Sequence, residues 1–158
     1  MNTHDVEAFI KRIGLPIKIE MMEAGSTRTS ELAAKTLGCT VAEIAKSIVF
    51  HYKVGGESKT VVVIISGGKK VSIEKLREQL GAEYVTMMRP DEVKEETGYV
   101  IGGVPPFPHR DGILVVADKS LFEFSKIWAA AGASNAIMAM QPSLLRDLLG
   151  IKIVDVGE

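Results

Sequence analysis

Apolar residues recur at helical spacing near the start of the chain. Val6, Phe9, Ile10 and Ile13 define one face, and Gly14 follows as a stop. Pro16 then opens an alternating stretch, Ile17-Lys18-Ile19-Glu20-Met21, which has the period of a strand. A second helix is predicted from about Thr29 to Leu37, with Gly38 beyond it. Thr40-Val41-Ala42-Glu43 has the form of a capping box and predicts a short helix carrying Ile44, Ala45 and Lys46. SIVFHYKV and TVVVIIS, separated by Gly55-Gly56, predict an antiparallel hairpin. The second of these runs is continuously apolar, as expected of a central strand covered on both faces. Gly67-Gly68 ends it. Ser72 caps a helix with Leu76 and Leu80 on one side, and Pro90-Asp91 starts another, DEVKEETG, closed by Gly98. In GGVPPFPHR three prolines within four residues exclude regular structure. GILVVAD, FSKIWAA and AIMAM read as strands, Pro142 opens a last helix, SLLRDLLG, and IKIVDV closes the chain as a strand. Helices and strands do not alternate regularly and neighbouring strands are hairpin-linked. The class expected is therefore α+β, with a mixed, mainly antiparallel sheet flanked by helices in a single domain over residues 1–158.

Composition narrows the function classes. A chain of 158 residues can bury a core without staples, and 46% apolar with 25% charged residues is that of a globular protein rather than a disordered one. The single cysteine, Cys39, excludes an intrachain disulfide and a cysteine-based metal site, and fits a reducing, cytoplasmic compartment. Next to Gly38 at a helix end, Cys39 reads as a small apolar filler before it reads as a reactive thiol. The opening MNTHDVEAFIKRIG has no apolar h-region and is not a signal peptide. No run approaches the ~18 apolar residues that span a membrane, so no membrane partner is expected. A net charge of −1 argues against a protein that coats DNA or other long nucleic acid through bulk charge. It leaves open one that grips only the end of a nucleic acid.

Most familiar site chemistry is missing. His4, His51 and His109 are not spaced with each other or with carboxylates as ligand pairs, so no metal is expected and no cofactor is implied. Gly67-Gly68-Lys69-Lys70 lacks the spacing of a phosphate loop and reads as a turn, and no serine stands in a nucleophile elbow. Two features remain. Lys46 sets one charge within Ile44-Ala45-Lys46-Ser47-Ile48-Val49-Phe50, where it must snorkel, pair or face a pocket. Gly102-Gly103-Val104-Pro105-Pro106-Phe107 combines glycines, which let backbone approach a ligand, with prolines that stiffen the loop. Exposed N–H groups there can hold an oxyanion, or the segment is only a rigid connection.

Taken together, these segments resemble a family. STRTSELAAKTLGCTVAEIAKSIVF is similar to the opening signature of the YbaK/ProX-type aminoacyl-tRNA deacylases, free-standing relatives of the editing domain of prolyl-tRNA synthetase. The similarity continues through TGYVIGGVPPF, VVADKSL and IWAAAGASNAIMAMQPSLL, in that order, over roughly residues 15 to 156. The resemblance implies a mixed β-sheet with flanking helices and hydrolysis of mischarged tRNA without a metal. The substrate implied is a tRNA, most readily tRNA(Pro), carrying cysteine or alanine, and the partners are its CCA acceptor end and, as a protein partner, prolyl-tRNA synthetase. The family's essential lysine falls on Lys46, and its GxxxP loop on Gly102, Gly103, Val104, Pro105 and Pro106. Pocket walls would come from Glu20, from Ser26, Thr27 and Arg28, and from Gly132 and Ser134. Asp118 falls at the family's strand-end aspartate, equally a site or a turn residue. Some alanine-clearing relatives carry a histidine in the last glycine-rich segment, whereas here it reads Gly132-Ala133-Ser134-Asn135, so alanine, cysteine and serine all stay open.

The resemblance also implies a mechanism. The loop N–H groups position the ester and favour the developing oxyanion, Lys46 supplies positive charge, and a free ribose hydroxyl with a water takes the place of a side-chain base. Gripping one end of a tRNA needs few phosphate contacts, for which Arg28, Lys46, Lys69 and Lys70 are the candidates. The same residues serve a second reading, a non-catalytic module that holds an aminoacyl end or a nucleotide in concert with a synthetase.

Overall fold

The computed structural model describes all residues, Met1–Glu158. Its centre is an eight-stranded sheet in the order β1-β7-β6-β2-β3-β5-β8, with β4 paired to β2 off that path. The strands are β1 (Ile19–Met21), β2 (Ile44–Val54), β3 (Glu57–Ser66), β4 (Tyr84–Met87), β5 (Leu114–Asp118), β6 (Ile127–Ala130), β7 (Ala136–Met140) and β8 (Lys152–Val154). The helices are α1 (Thr3–Ile13), α2 (Ser30–Leu37), α3 (Ile73–Leu80), α4 (Pro90–Thr97) and α5 (Ser143–Asp147). This is the mixed α+β architecture expected. The longest ladder, β2 with β3, is antiparallel, and β2 with β6, β3 with β5 and β5 with β8 pair in parallel, which makes the sheet mixed as expected.

The helices start where their caps put them. Asn2 accepts from the His4 N–H while Asp5 reaches back to the Asn2 N–H, which fixes the first turn of α1. Thr29 and Ser72 cap α2 and α3 in the same sense, accepting from Leu32 and Lys75. Along α1, Val6 and Ile10 are buried as expected, whereas Ile13 lies on the exposed side.

The continuous apolar run of β3 is covered on both faces. Val62 and Ile64 enter the main core with Val6, Ile10 and Val104, while Val61 and Val63 pack with Phe50, Leu76 and Val116 beneath α3. Each of these four β3 residues has no exposed surface. Burying a side chain of this size contributes about 1.5–3 kcal/mol, so β3 is the strand on which the sheet depends.

One predicted element is corrected. The capping box at Thr40 and Glu43 exists, but it closes only a single 3-10 turn, Val41–Glu43. Ile44 is already extended: its carbonyl accepts from Gly67 N–H at 2.6 Å, and it is the first residue of β2. Pairing with β3 along the whole strand outweighs local helix signals, and Lys46 sits opposite Ile65 in a strand, not on a helix. The edge strand β4 and the 3-10 turn Lys119–Glu123 are present beyond the predicted elements.

Candidate functional site

Peptide groups along a strand face its two edges alternately. The Ile44 carbonyl accepts from Gly67 on the β3 side, and the Val49 carbonyl accepts from Met88 N–H at 3.0 Å on the opposite side. Ala45, Ser47 and Val49 therefore aim their main chain away from β3. On that edge β2 pairs first with β6, at Ile44–Trp128 and Ala45–Ala129, and then with β4 from Phe50 onward. Between those two neighbours no strand covers β2, and a cavity of about 230 Å³ occupies the gap. Lys46, Ser47 and Ile48 form one wall and Trp128, Ala129 and Ala130 the other. Ala33 and Ile44, which pack together under α2, close one side of the sheet, and Val104, part of the main core, closes the other.

Lys46 is half-buried in this wall. Its Nζ donates to the Gly67 carbonyl at a long 3.4 Å, and no carboxylate lies within ion-pair distance. Burial pushes its pKa below the ordinary lysine value of 10.5; Glu31 pulls it back up, and Lys70 pushes it further down. The charge is thus held in place by little else in the chain and remains available to a ligand.

The proline loop reaches the same cavity. Gly102 has a φ of 86°, a backbone open mainly to glycine, and a Cβ there would lie 3.7 Å from both the Arg28 carbonyl and Ser134 Cβ. Gly103 sits directly on the neighbouring turn, where a Cβ would come within 2.8 Å of Ala133 Cα. Its carbonyl accepts from Gly132 N–H at 3.0 Å and its own N–H donates to Val100 at 2.9 Å. Gly103 is therefore spent on docking the loop. Gly102 and Val104 line the cavity, and their N–H groups bond to nothing else in the chain.

Residues 24–148 match the family described as the aminoacyl-tRNA editing domain. The chain belongs to that family. It is 35% identical to the uncharacterized protein YwhH of Bacillus subtilis over 83% of this chain and 82% of that protein. It is 31% identical to the multifunctional Ser/Thr-tRNA deacylase ProXp-y of Escherichia coli K12, over 65% of this chain and 62% of that one. A crystal structure described as a candidate trans-editing enzyme for prolyl-tRNA synthetase superposes with a TM-score of 0.86 at 30% identity, covering 99% of this chain and 96% of that one.

Within this editing domain, the residues singled out from sequence separate into three groups. Lys46, Gly102, Val104, Thr27 and Arg28 line the cavity; Arg28 is exposed, whereas Thr27 is buried and donates to the Ser134 carbonyl at 2.7 Å. Gly103, Ser134, Gly132, Pro105 and Pro106 stand behind it as framework. A Cβ on Gly132 would fall 2.6 Å from Thr3 N, and both prolines are buried. Glu20, Ser26 and Asp118 do not reach it. Glu20 is an exposed residue of the outermost strand opposite Ile137, and Ser26 donates to the Glu23 carbonyl in a turn. Asp118 is buried two strands away from β2, with its carboxylate on backbone N–H groups. Ser47, Ala130 and Trp128 are wall residues that no sequence motif marks, since only the parallel β2–β6 pairing brings them together. A larger hollow, about 630 Å³, lies around Pro16, Lys126, Gln141 and Asp147. It contains neither Lys46 nor the glycine loop, and volume alone gives it no chemistry.

His109 braces the proline loop from behind. Its Nε2 lies 2.8 Å from the Pro105 carbonyl, which can only accept, so Nε2 carries the proton and the buried Nδ1 is left without a partner. Burial pushes its pKa below the ordinary 6.5, partly offset by the bond to Pro105. The unfolded chain therefore takes up a proton at a higher pH than the folded one. Stability is expected to fall as pH drops from about 6.5 toward the lower folded value, and to level off below it. Urea unfolding between about pH 7 and pH 5 measures this slope, and His109→Gln should flatten it. An identical slope in the variant would assign the effect to other groups.

Proposed function

We propose that this editing domain is a trans-acting deacylase that hydrolyses the ester of a mischarged tRNA, in the cytoplasm, with tRNA(Pro) carrying cysteine or alanine as the substrate. The observation that supports it is that one 230 Å³ cavity is lined both by a half-buried, weakly held lysine and by two loop residues, Gly102 and Val104, whose N–H groups are unpaired within the chain. A cavity of that size admits a small aminoacyl group and excludes large ones.

The CCA end enters with its ester between Lys46 and the loop. Water adds to the acyl carbon, and the negative charge that develops on the carbonyl oxygen meets the N–H groups of Gly102 and Val104 and the field of Lys46. The bond from carbon to the ribose oxygen then breaks, and that oxygen takes a proton. No histidine or carboxylate lines the cavity, so the proton that the attacking water sheds passes to the neighbouring ribose hydroxyl of the substrate, which hands its own proton to the departing ribose oxygen. Arg28 at the rim and Lys70 near Lys46 suit the phosphates of the acceptor end. Prolyl-tRNA synthetase is the protein partner this substrate implies.

The test is release of amino acid from tRNA(Pro) charged in turn with cysteine, alanine, serine, threonine and proline. The hydroxyl amino acids belong in the panel because the E. coli relative is named for them. Rapid release of cysteine or alanine, with prolyl-tRNA spared, is the expected result. Tight binding with no release of any of them would replace the deacylase with a non-catalytic binding module.

A further inference from the structure

Of the residues lining the cavity, Ser47 alone has a buried side-chain oxygen without a partner. It is part-exposed, yet its Oγ is shielded from solvent and has no hydrogen-bond partner. What Ser47 presents to the cavity is its main chain. Its N–H and C=O face the same edge as those of Ala45 and Val49, and this is the stretch of β2 that neither β6 nor β4 covers. An uncovered strand edge inside a protein is a ready template for one more extended residue.

We propose that Ser47 reads the part that all amino acids share, by pairing its peptide group with the aminoacyl group as though that group were the missing strand residue. This rests on the deacylase reading. An aminoacyl ester carries an α-ammonium and an acyl carbonyl on one tetrahedral carbon, the same spacing as the N–H and C=O of a residue in a strand. The Ser47 carbonyl accepts from the ammonium. The Ser47 N–H donates to the acyl oxygen beside the loop donors, which an oxyanion with three lone pairs can accommodate. The amino acid's side chain then projects out of the plane of the sheet onto the apolar walls, Ala33 and Ile44 on one side or Val104 on the other. Main-chain recognition and side-chain recognition are thereby separated. Ser47 demands an α-amino acid of whatever kind, and the walls limit its size.

Two measurements test this with the whole protein. The first compares alanyl-tRNA(Pro) with propionyl-tRNA(Pro), which is the same ester without its amino group, each rate divided by its spontaneous hydrolysis. The pair cysteinyl and 3-mercaptopropionyl serves if cysteine is the better substrate. Loss of a charge-assisted hydrogen bond predicts about 10- to 100-fold less acceleration for the des-amino ester. Equal acceleration of both esters overturns the inference while leaving the deacylase intact. Acceleration of neither overturns the deacylase reading and this inference with it. The second measurement is Ser47→Pro, which deletes an N–H that the β2–β3 ladder does not use. A folded variant is expected to lose deacylation by at least about tenfold, and full activity in it overturns the role of the N–H. If the variant does not fold, the ester comparison decides alone.

Discussion

Replacing Lys46 with alanine is expected to lower the rate of deacylation by about 10²–10³-fold, the scale seen when one preorganised stabiliser of a developing oxyanion is removed. The fold should not suffer. Lys46 makes one long hydrogen bond, at 3.4 Å, and no ion pair, and burial pushes its pKa down, so the folded state holds this charge at a cost. Removing it relieves that cost. The thermal midpoint of Lys46→Ala is expected to be equal to or above that of the parent, the pattern of a residue retained for activity rather than stability. Lys46→Arg separates charge from fit: it keeps the charge on a planar, bulkier head in a cavity of only 230 Å³ and should recover little of the rate. Single-turnover release from charged tRNA, paired with a melting curve, checks both halves. Turnover near the parent's in Lys46→Ala would remove the lysine from the reaction. A large drop in the midpoint would make it structural.

The helix caps and the apolar strands were legible because their causes are local. Thr29, Ser72 and Pro90 announce helix starts within a few residues, and the run from Val61 to Ile65 can satisfy its apolarity only under cover on both faces. The residues of the loop and Lys46 stood out as candidates for a related reason, since one charge in an apolar run and paired glycines beside prolines each break the pattern around them. The placement of Lys46 was not legible. A true capping box precedes it, and only the non-local partner β3 turns Ile44 into a strand after one turn. The gap at Ser47 leaves no trace in the sequence at all. It exists because β6 ends at Ala130 and β4 begins to pair only at Phe50, two boundaries set by segments far apart in the chain. The parallel ladders share this origin: their partners have no turn between them to read.

Asp118 shows how a functional and a structural aspartate can look alike in sequence and differ in their expected effect. The carboxylate ends β5 with 1% of its surface exposed, and it accepts from Val156 N–H at 2.8 Å, Gly157 N–H at 3.0 Å and Ser120 N–H at 3.1 Å. It starts the following 3-10 turn and ties down the chain after β8. Asp118→Ala leaves those donors without an acceptor in a site too tight for ready replacement. Each buried donor so orphaned costs about 1–3 kcal/mol, offset in part by no longer burying a charge, so a loss of about 3–5 kcal/mol is expected. Asp118→Asn should fall between: one amide oxygen can still serve Val156 and Gly157, while the NH₂ opposes the Ser120 N–H. Urea unfolding of the three proteins orders them, and hydrogen exchange at Val156 and Gly157 should rise in the same order. Because the group lies two strands from the cavity, any fall in deacylation should follow the loss of folded protein. An unchanged unfolding curve with turnover lost would return Asp118 to the substrate site.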